Sequence, residues 1–212
     1  ASGELKTKPT QASVKDLQGM GIQPDIIVCR SEQPLDDHIK EKISLFCNVP
    51  KDHVLQNLDV DVLYEAPLAM EKEPLAQVAC ECLHLDCPEP DLSDWEQMID
   101  AWKHPKHQVT VALVGKYTAL HDAYISVVEA LKHGGVANRT TVNIKWVDSE
   151  QLNKGNVAQV LGDVSGILVP GGFGDRGIEG MIDAIQYARE NKIPFLGLCL
   201  GMQLAIVEFA RD

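Results

Sequence analysis

No apolar run in these 212 residues is long enough to cross a bilayer, and no signal peptide heads them. Positive charge is scarce: 19 lysines and arginines against 31 acidic residues leave a formal charge of −12. That balance argues against wholesale binding to a nucleic-acid backbone, which needs a basic field to displace counterions. The six cysteines, Cys29, Cys47, Cys80, Cys82, Cys87 and Cys199, fall at irregular spacings that fit reduced thiols in a cytoplasmic protein. Cys80, Cys82, His84 and Cys87 invite a zinc reading, but the cluster is single, C-x-C spaced and set on a stretch of helical periodicity, so no metal ligand is expected. A start methionine is missing too, and the sequence reads as the middle of something longer. What is present is 45% apolar content, ample for one large or two modest domains.

Periodicity predicts a short helix near 10–20, a buried strand at Ile26–Cys29, and a helix from Pro34 to Phe46 with Ile39, Ile43 and Phe46 on one side. A second apolar segment around Val60–Tyr64 leads to another helix before Pro88. Pro88-Glu89-Pro90 then interrupts the pattern and marks a domain boundary. A linker helix follows, opened by Ser93 with Glu96 at capping-box spacing and ending near His104-Pro105. From Val109 strands and helices alternate: strands at Val109–Val114, Val142–Val147, Ile167–Val169 and Pro194–Leu198, with helices near 122–133, 156–161 and 178–190 and another after the last strand. The expected class is α/β. Its C-terminal half is a doubly wound, mainly parallel sheet, and its N-terminal part belongs to a second α/β domain.

The sharpest feature is Gly197-Leu198-Cys199-Leu200-Gly201-Met202-Gln203, fed by the apolar Ile193-Pro194-Phe195-Leu196. A cysteine flanked by glycines two before and two after fits a strand-to-helix elbow that lifts a nucleophile clear of the sheet. Free amides at the new helix start favour a thiolate and supply oxyanion donors. Yet all seven histidines precede Cys199, so no base follows the thiol. The loop Pro170-Gly171-Gly172-Phe173-Gly174 follows a strand and lacks the Gly-Lys-Ser/Thr ending of a P-loop, which favours an amide from Gly172 meeting that of Leu200 around an oxyanion. Near the start, Lys6-Thr7-Lys8-Pro9-Thr10-Gln11 sets two lysines at a helix N-terminus, either an anion site or a solvated basic loop.

Taken with Gly3-Glu4-Leu5, Gly21-Ile22-Gln23-Pro24-Asp25, Phe46-Cys47-Asn48-Val49-Pro50 and Val114-Gly115-Lys116-Tyr117, these motifs closely resemble the CTP synthase family in the family's own order. The resemblance implies an amidoligase domain that phosphorylates uracil O4 with ATP and magnesium, and a class I glutaminase domain whose ammonia displaces that phosphate. On that pattern residues 1–87 are the end of the P-loop-type amidoligase domain, 88–107 the linker and 108–212 the first half of the glutaminase. Lys6, Thr7, Lys8, Pro9, Thr10, Gln11 and Lys42 match positions contacting UTP or CTP, and Leu58, Asp59 and Val60 a segment at the ATP base. Gly172, Leu200, Gly201, Met202 and Gln203 match the glutamine pocket, with Cys199 forming a γ-glutamyl thioester. The family is cytoplasmic and tetrameric and responds to GTP; its partners are UTP, ATP and glutamine, with no nucleic acid and no membrane. The family's P-loop, acidic magnesium ligands and downstream His-x-Glu pair are missing from these residues, so the stretch alone is expected to be inactive. Two other readings stay open: a non-catalytic nucleotide-binding fragment, and a glutaminase subunit serving another synthetase.

Overall fold

The computed structural model describes residues 5–212, so Gly3 and Glu4 of the first motif lie outside the described residues. Contacts divide the chain into two units, Ala1–Ile99 and Asp100–Asp212.

In the first unit, helix α1 (Lys8–Gly19) leads to strand β1 (Ile27–Ser31), helix α2 (Asp37–Cys47), strand β2 (Val54–Leu58) and helices α3 (Ala66–Lys72) and α4 (Leu75–Leu83). β1 and β2 pair in parallel, Ile27 opposite Val54. Their inward side chains meet α1 and α2 in one core of Val14, Ile27, Ile43, Cys47, Val49 and Val54. Burial pushes the thiols of Cys29 and Cys47 up from their usual range, as expected of small apolar residues in such a core. Asp36 starts α2 by accepting the Ile39 amide at 2.7 Å, and Asn48 ends it in the left-handed region. Glu73, between α3 and α4, accepts from Lys40 Nζ at 2.9 Å and from the Gln56 amide and side chain at 3.1 and 2.8 Å. This knot ties α2, β2 and the α3–α4 junction together.

The apolar segment around Val60–Tyr64 is a bend running into a single 3₁₀ turn at Leu63–Glu65, and the strand ahead of it, Val54–Leu58, is one that the periodicity did not mark. Asp59 and Asp61 interrupt the apolar stretch, and Leu63 points to solvent, 77% exposed. The single helix expected before Pro88 is two, parted at Pro74. Helix α5 (Ser93–Lys103) starts where Ser93 implied, but Asp91 is the acceptor there, taking the Ser93 amide at 3.0 Å. The division between the units falls within α5.

The second unit alternates strands and helices: β3 (His107–Gly115), α6 (Ile125–Ala137), β4 (Thr140–Asp148), α7 (Val157–Leu161), β5 (Gly166–Val169), α8 (Ile178–Glu190), β6 (Phe195–Gly197) and α9 (Leu200–Arg211). The four strands are parallel in the order β4-β3-β5-β6. Alternate residues feed opposite faces. Ala112, Val114, Ile167 and Val169 pack under α7, α8 and α9, while Leu113 and Leu168 pack with Tyr124 under α6. The sheet is therefore covered on both sides, the doubly wound arrangement the sequence implied. α8 and α9 are clamped by Arg189, which donates to the buried Glu208 from Nε at 3.1 Å and Nη2 at 2.8 Å. Among the described residues no helix is long and apolar enough to cross a membrane.

Candidate active site

β6 ends at Gly197, and the chain must swing into α9 within two residues. Cys199 makes that swing at φ 50° and ψ −101°, a conformation that costs any residue with a Cβ, and its side chain is exposed. The glycines are set by contact. A Cβ on Gly197 would stand 2.6 Å from the Gly201 carbonyl carbon, and one on Gly201 would stand 2.1 Å from the Val169 carbonyl oxygen. Neither position has room for a side chain. The bend is fastened by three backbone bonds: Leu198 N–H to Val169 O at 2.9 Å, Gly201 N–H to Leu198 O at 2.9 Å, and Gln203 N–H to Cys199 O at 3.1 Å. Leu200, first in α9, has an amide with no acceptor inside the helix.

The loop after β5 comes to the same place. A Cβ added to Gly171 would lie 3.6 Å from that of Cys199, and one added to Gly172 would lie 3.4 Å from Leu200 Cδ2. The thiol, Gly171, Gly172 and Leu200 thus gather at the carboxyl ends of β5 and β6, where open parallel sheets hold their ligands. Of the remaining positions matched to the glutamine pocket, Gly201 is buried in the elbow, whereas Met202 and Gln203 are exposed on the first turn of α9. Among the described residues no histidine bonds the Cys199 sulfur. All seven lie earlier in the chain.

Three residues around this crevice escaped the chemical reading of the sequence. Lys116, just past β3 and only 5% exposed, donates from Nζ to the carbonyl oxygens of Phe173, at 2.9 Å, and Gly174. Tyr124 Oη accepts the amides of Lys116 and Tyr117 at 3.2 and 3.3 Å. Arg176 donates to Lys116 O at 3.3 Å and sits over the Tyr117 ring, 5.8 Å from its centroid. A lysine directly after the apolar end of a strand, Val111–Gly115, was the available signal, since a charge there must find partners.

In the first unit the basic motif caps α1. Thr7 is buried beside the helix start, accepts the Gln11 amide on its carbonyl at 3.0 Å and takes the Gln11 side chain on Oγ1 at 3.0 Å. Lys6, Thr7 and Lys8 then face Lys42 of α2 across a cavity of about 760 Å³, whose wall also includes Gln33, Asp36 and His38. Pro9, Thr10 and Gln11 lie in the first turn of α1, outside that wall. Gln33, Asp36 and His38 were not singled out because they sit in a loop and helix start with no motif of their own. Leu58 closes β2, and Asp59 follows it, accepting from Arg30 Nε at 3.2 Å; Val60 lies just beyond. Cys80 and Cys82 are on α4, His84 is its left-handed cap and Cys87 lies beyond. Cys82 Sγ is 3.7 Å from His53 Nδ1, but no group of three or more His, Cys, Asp or Glu among the described residues is close enough to hold a metal ion.

Residues 1–85 match the family profile described as CTP synthase N-terminus, and residues 119–212 match that of glutamine amidotransferase class-I. The chain is 63% identical over 211 residues to the CTP synthase of Ruminiclostridium cellulolyticum and 59% identical to that of Carboxydothermus hydrogenoformans. Each comparison covers all of this chain but only 40% and 39% of the relative, respectively. A solved structure, the Trypanosoma brucei CTPS glutaminase domain with bound acivicin, is 42% identical over 49% of this chain and 41% of its own, with a TM-score of 0.47.

Proposed function

We propose, for a chain that belongs to the CTP synthase family and spans about two fifths of its curated relatives, that these residues work within an enzyme of the relatives' length making CTP from UTP, ATP and glutamine. The observation that carries the glutaminase half is the meeting of elbow and glycine loop: Gly171 and Cys199 are separated by 3.6 Å between Cβ positions. A glutamine carboxamide in that crevice would be attacked at its carbon by the Cys199 sulfur. The oxygen, becoming an anion, would take the amides of Gly172 and Leu200, and the C–N bond would break to release ammonia and leave a γ-glutamyl thioester. Water then breaks the C–S bond to give glutamate. A general base must serve these proton transfers, and the histidines all precede Cys199 without bonding it.

The cavity in the first unit supports the pyrimidine half. Lys6, Lys8 and Lys42 set three ammonium groups against one carboxylate, Asp36, which suits a triphosphate. ATP would supply the phosphate that activates uracil O4, its base near Leu58, Asp59 and Val60. The family's acidic magnesium ligands are not among these residues. Ammonia would then displace that phosphate to form the amine. We place the enzyme in the cytoplasm as a homotetramer responsive to GTP, on family grounds.

In the full-length enzyme Cys199→Ala should abolish glutamine-dependent CTP formation, at least 10³-fold, while CTP formation from added ammonia stays within about twofold. Glutamine-dependent turnover surviving in that variant would overturn the reading. The 212 residues alone should release ammonia from glutamine at a negligible rate, which a coupled glutamate dehydrogenase assay reads directly.

A further inference from the structure

Lys116 stands at the point where the sheet's winding reverses. The chain leaving β3 turns to α6 on one face, and the chain leaving β5, its neighbour in the sheet, turns to α8 on the other. Ligands enter open α/β sheets at such a divide. Lys116 is the one buried lysine among the described residues, and no carboxylate lies within ion-pairing distance of it. Burying an ammonium group without a counter-ion is costly unless dipoles take water's place. Here the dipoles are the carbonyls of Phe173 and Gly174, bonded across the divide.

The other ends of the lysine are pinned as well. Its amide is held by Tyr124 Oη at 3.2 Å and its carbonyl by Arg176 at 3.3 Å. Its methylenes pass beside Gly172: Cδ and Cε lie 3.7 Å from where a Cβ on that glycine would be. Lys116 therefore grips the loop from two sides, by charge at residues 173 and 174 and by contact at 172. The same loop reaches Cys199 through Gly171.

We infer that Lys116 is a positioning residue for glutamine hydrolysis: it fixes the Gly171–Gly174 loop so that the Gly172 amide meets the oxyanion formed at Cys199. This rests on the glutaminase reading above. The carbonyl bonds set the planes of peptides 173–174 and 174–175, and with them the course of the loop back to Gly172. Losing the ammonium frees the loop without touching the thiol.

The test uses the full-length enzyme, assayed without GTP. Lys116→Met keeps the length and apolar stem and removes the charge. The expected result is a fall of about 100-fold in kcat for glutamine hydrolysis, the scale of one lost oxyanion donor, with KM for glutamine within about threefold. CTP formation from ammonia should stay within about twofold. Alkylation of Cys199 by iodoacetamide, which displaces iodide from a saturated carbon and forms no oxyanion, should proceed at the wild-type rate by peptide mass spectrometry. Lys116→Arg, which returns a cation with donors, should recover at least tenfold of the lost kcat. A Lys116→Met kcat within threefold of wild type overturns the inference. So does a parallel loss of kcat, alkylation rate and melting temperature, which marks a merely structural role. Should Lys116→Met not fold, Lys116→Gln is read on the same assays against the same thresholds. If Cys199→Ala is inactive while Lys116→Met is not, the inference alone fails; if Cys199→Ala hydrolyses glutamine, the glutaminase reading fails first.

Discussion

In the first unit the candidate site is walled by side chains, with Lys6, Lys8 and Lys42 around a cavity of about 760 Å³, whereas in the second the exposed thiol is served by main chain at Gly171, Gly172 and Leu200. The first arrangement can shift: lysine stems are long, and their charges act at a distance through water and salt. The second cannot. Its precision comes from backbones in contact, and a single carbon added at Gly197 or Gly201 spoils it. The same contrast holds for the supports, a charged knot at Glu73 in one unit and glycine contacts under an elbow in the other. A site of charges is tuned by pH and salt; a site of amides is tuned by packing alone.

The largest expected effect breaks the second unit. Gly201→Ala would press a methyl group to 2.1 Å from the Val169 carbonyl oxygen, and neither backbone can retreat without opening the elbow. We expect a loss of more than about 3 kcal/mol confined to residues 100–212, read by hydrogen exchange resolved on peptides, and complete loss of glutamine hydrolysis. The matched change in the first unit is Gly21→Ala, at φ 84° with nothing within 4 Å of the new methyl. It should cost only about 1 kcal/mol, the strain of the left-handed region. Comparable losses at the two glycines would erase the contrast.

A smaller effect sharpens it. Burial would raise the Glu73 carboxyl, but the bonds from Lys40 and Gln56 hold it below its ordinary value. A carboxylate with a lowered folded-state pKa adds stability above its unfolded value, about pH 4.3, and loses it as pH falls through the folded one. Exchange protection of β1 and β2 should therefore fall in acid below about pH 4, and Glu73→Gln should remove that dependence while lowering protection at pH 7. The second unit's strands should show no change from this substitution. An acid profile unaltered by Glu73→Gln would show that the knot carries no such linkage.

Much of the second unit was legible because its period is regular. Strands such as Ile167–Val169 are uninterrupted apolar runs between helical stretches, and Val109–Val114 is broken only by Thr110, the pattern of a sheet buried on both faces. The elbow was legible because its glycines answer to one geometry. The first unit was harder: Val54–Leu58 contains the polar Gln56 and Asn57, of which Gln56 is held by the Glu73 knot, whereas the more apolar Val60–Tyr64 is no strand. Lys116 was hidden for a different reason. Its partners, Phe173 and Gly174, are carbonyls nearly sixty residues away, and backbone oxygens carry no sequence signature.

Cys199, at φ 50° and ψ −101°, is the one residue in the elbow whose own torsions work against it. The fold keeps it bent through neighbours that cannot move, much as a cocked spring is kept by its catch. Evolution's simplest relaxation, a glycine in its place, would make a hardier protein that could no longer react. The thiol's usefulness and the molecule's local comfort are thus opposed at a single peptide unit.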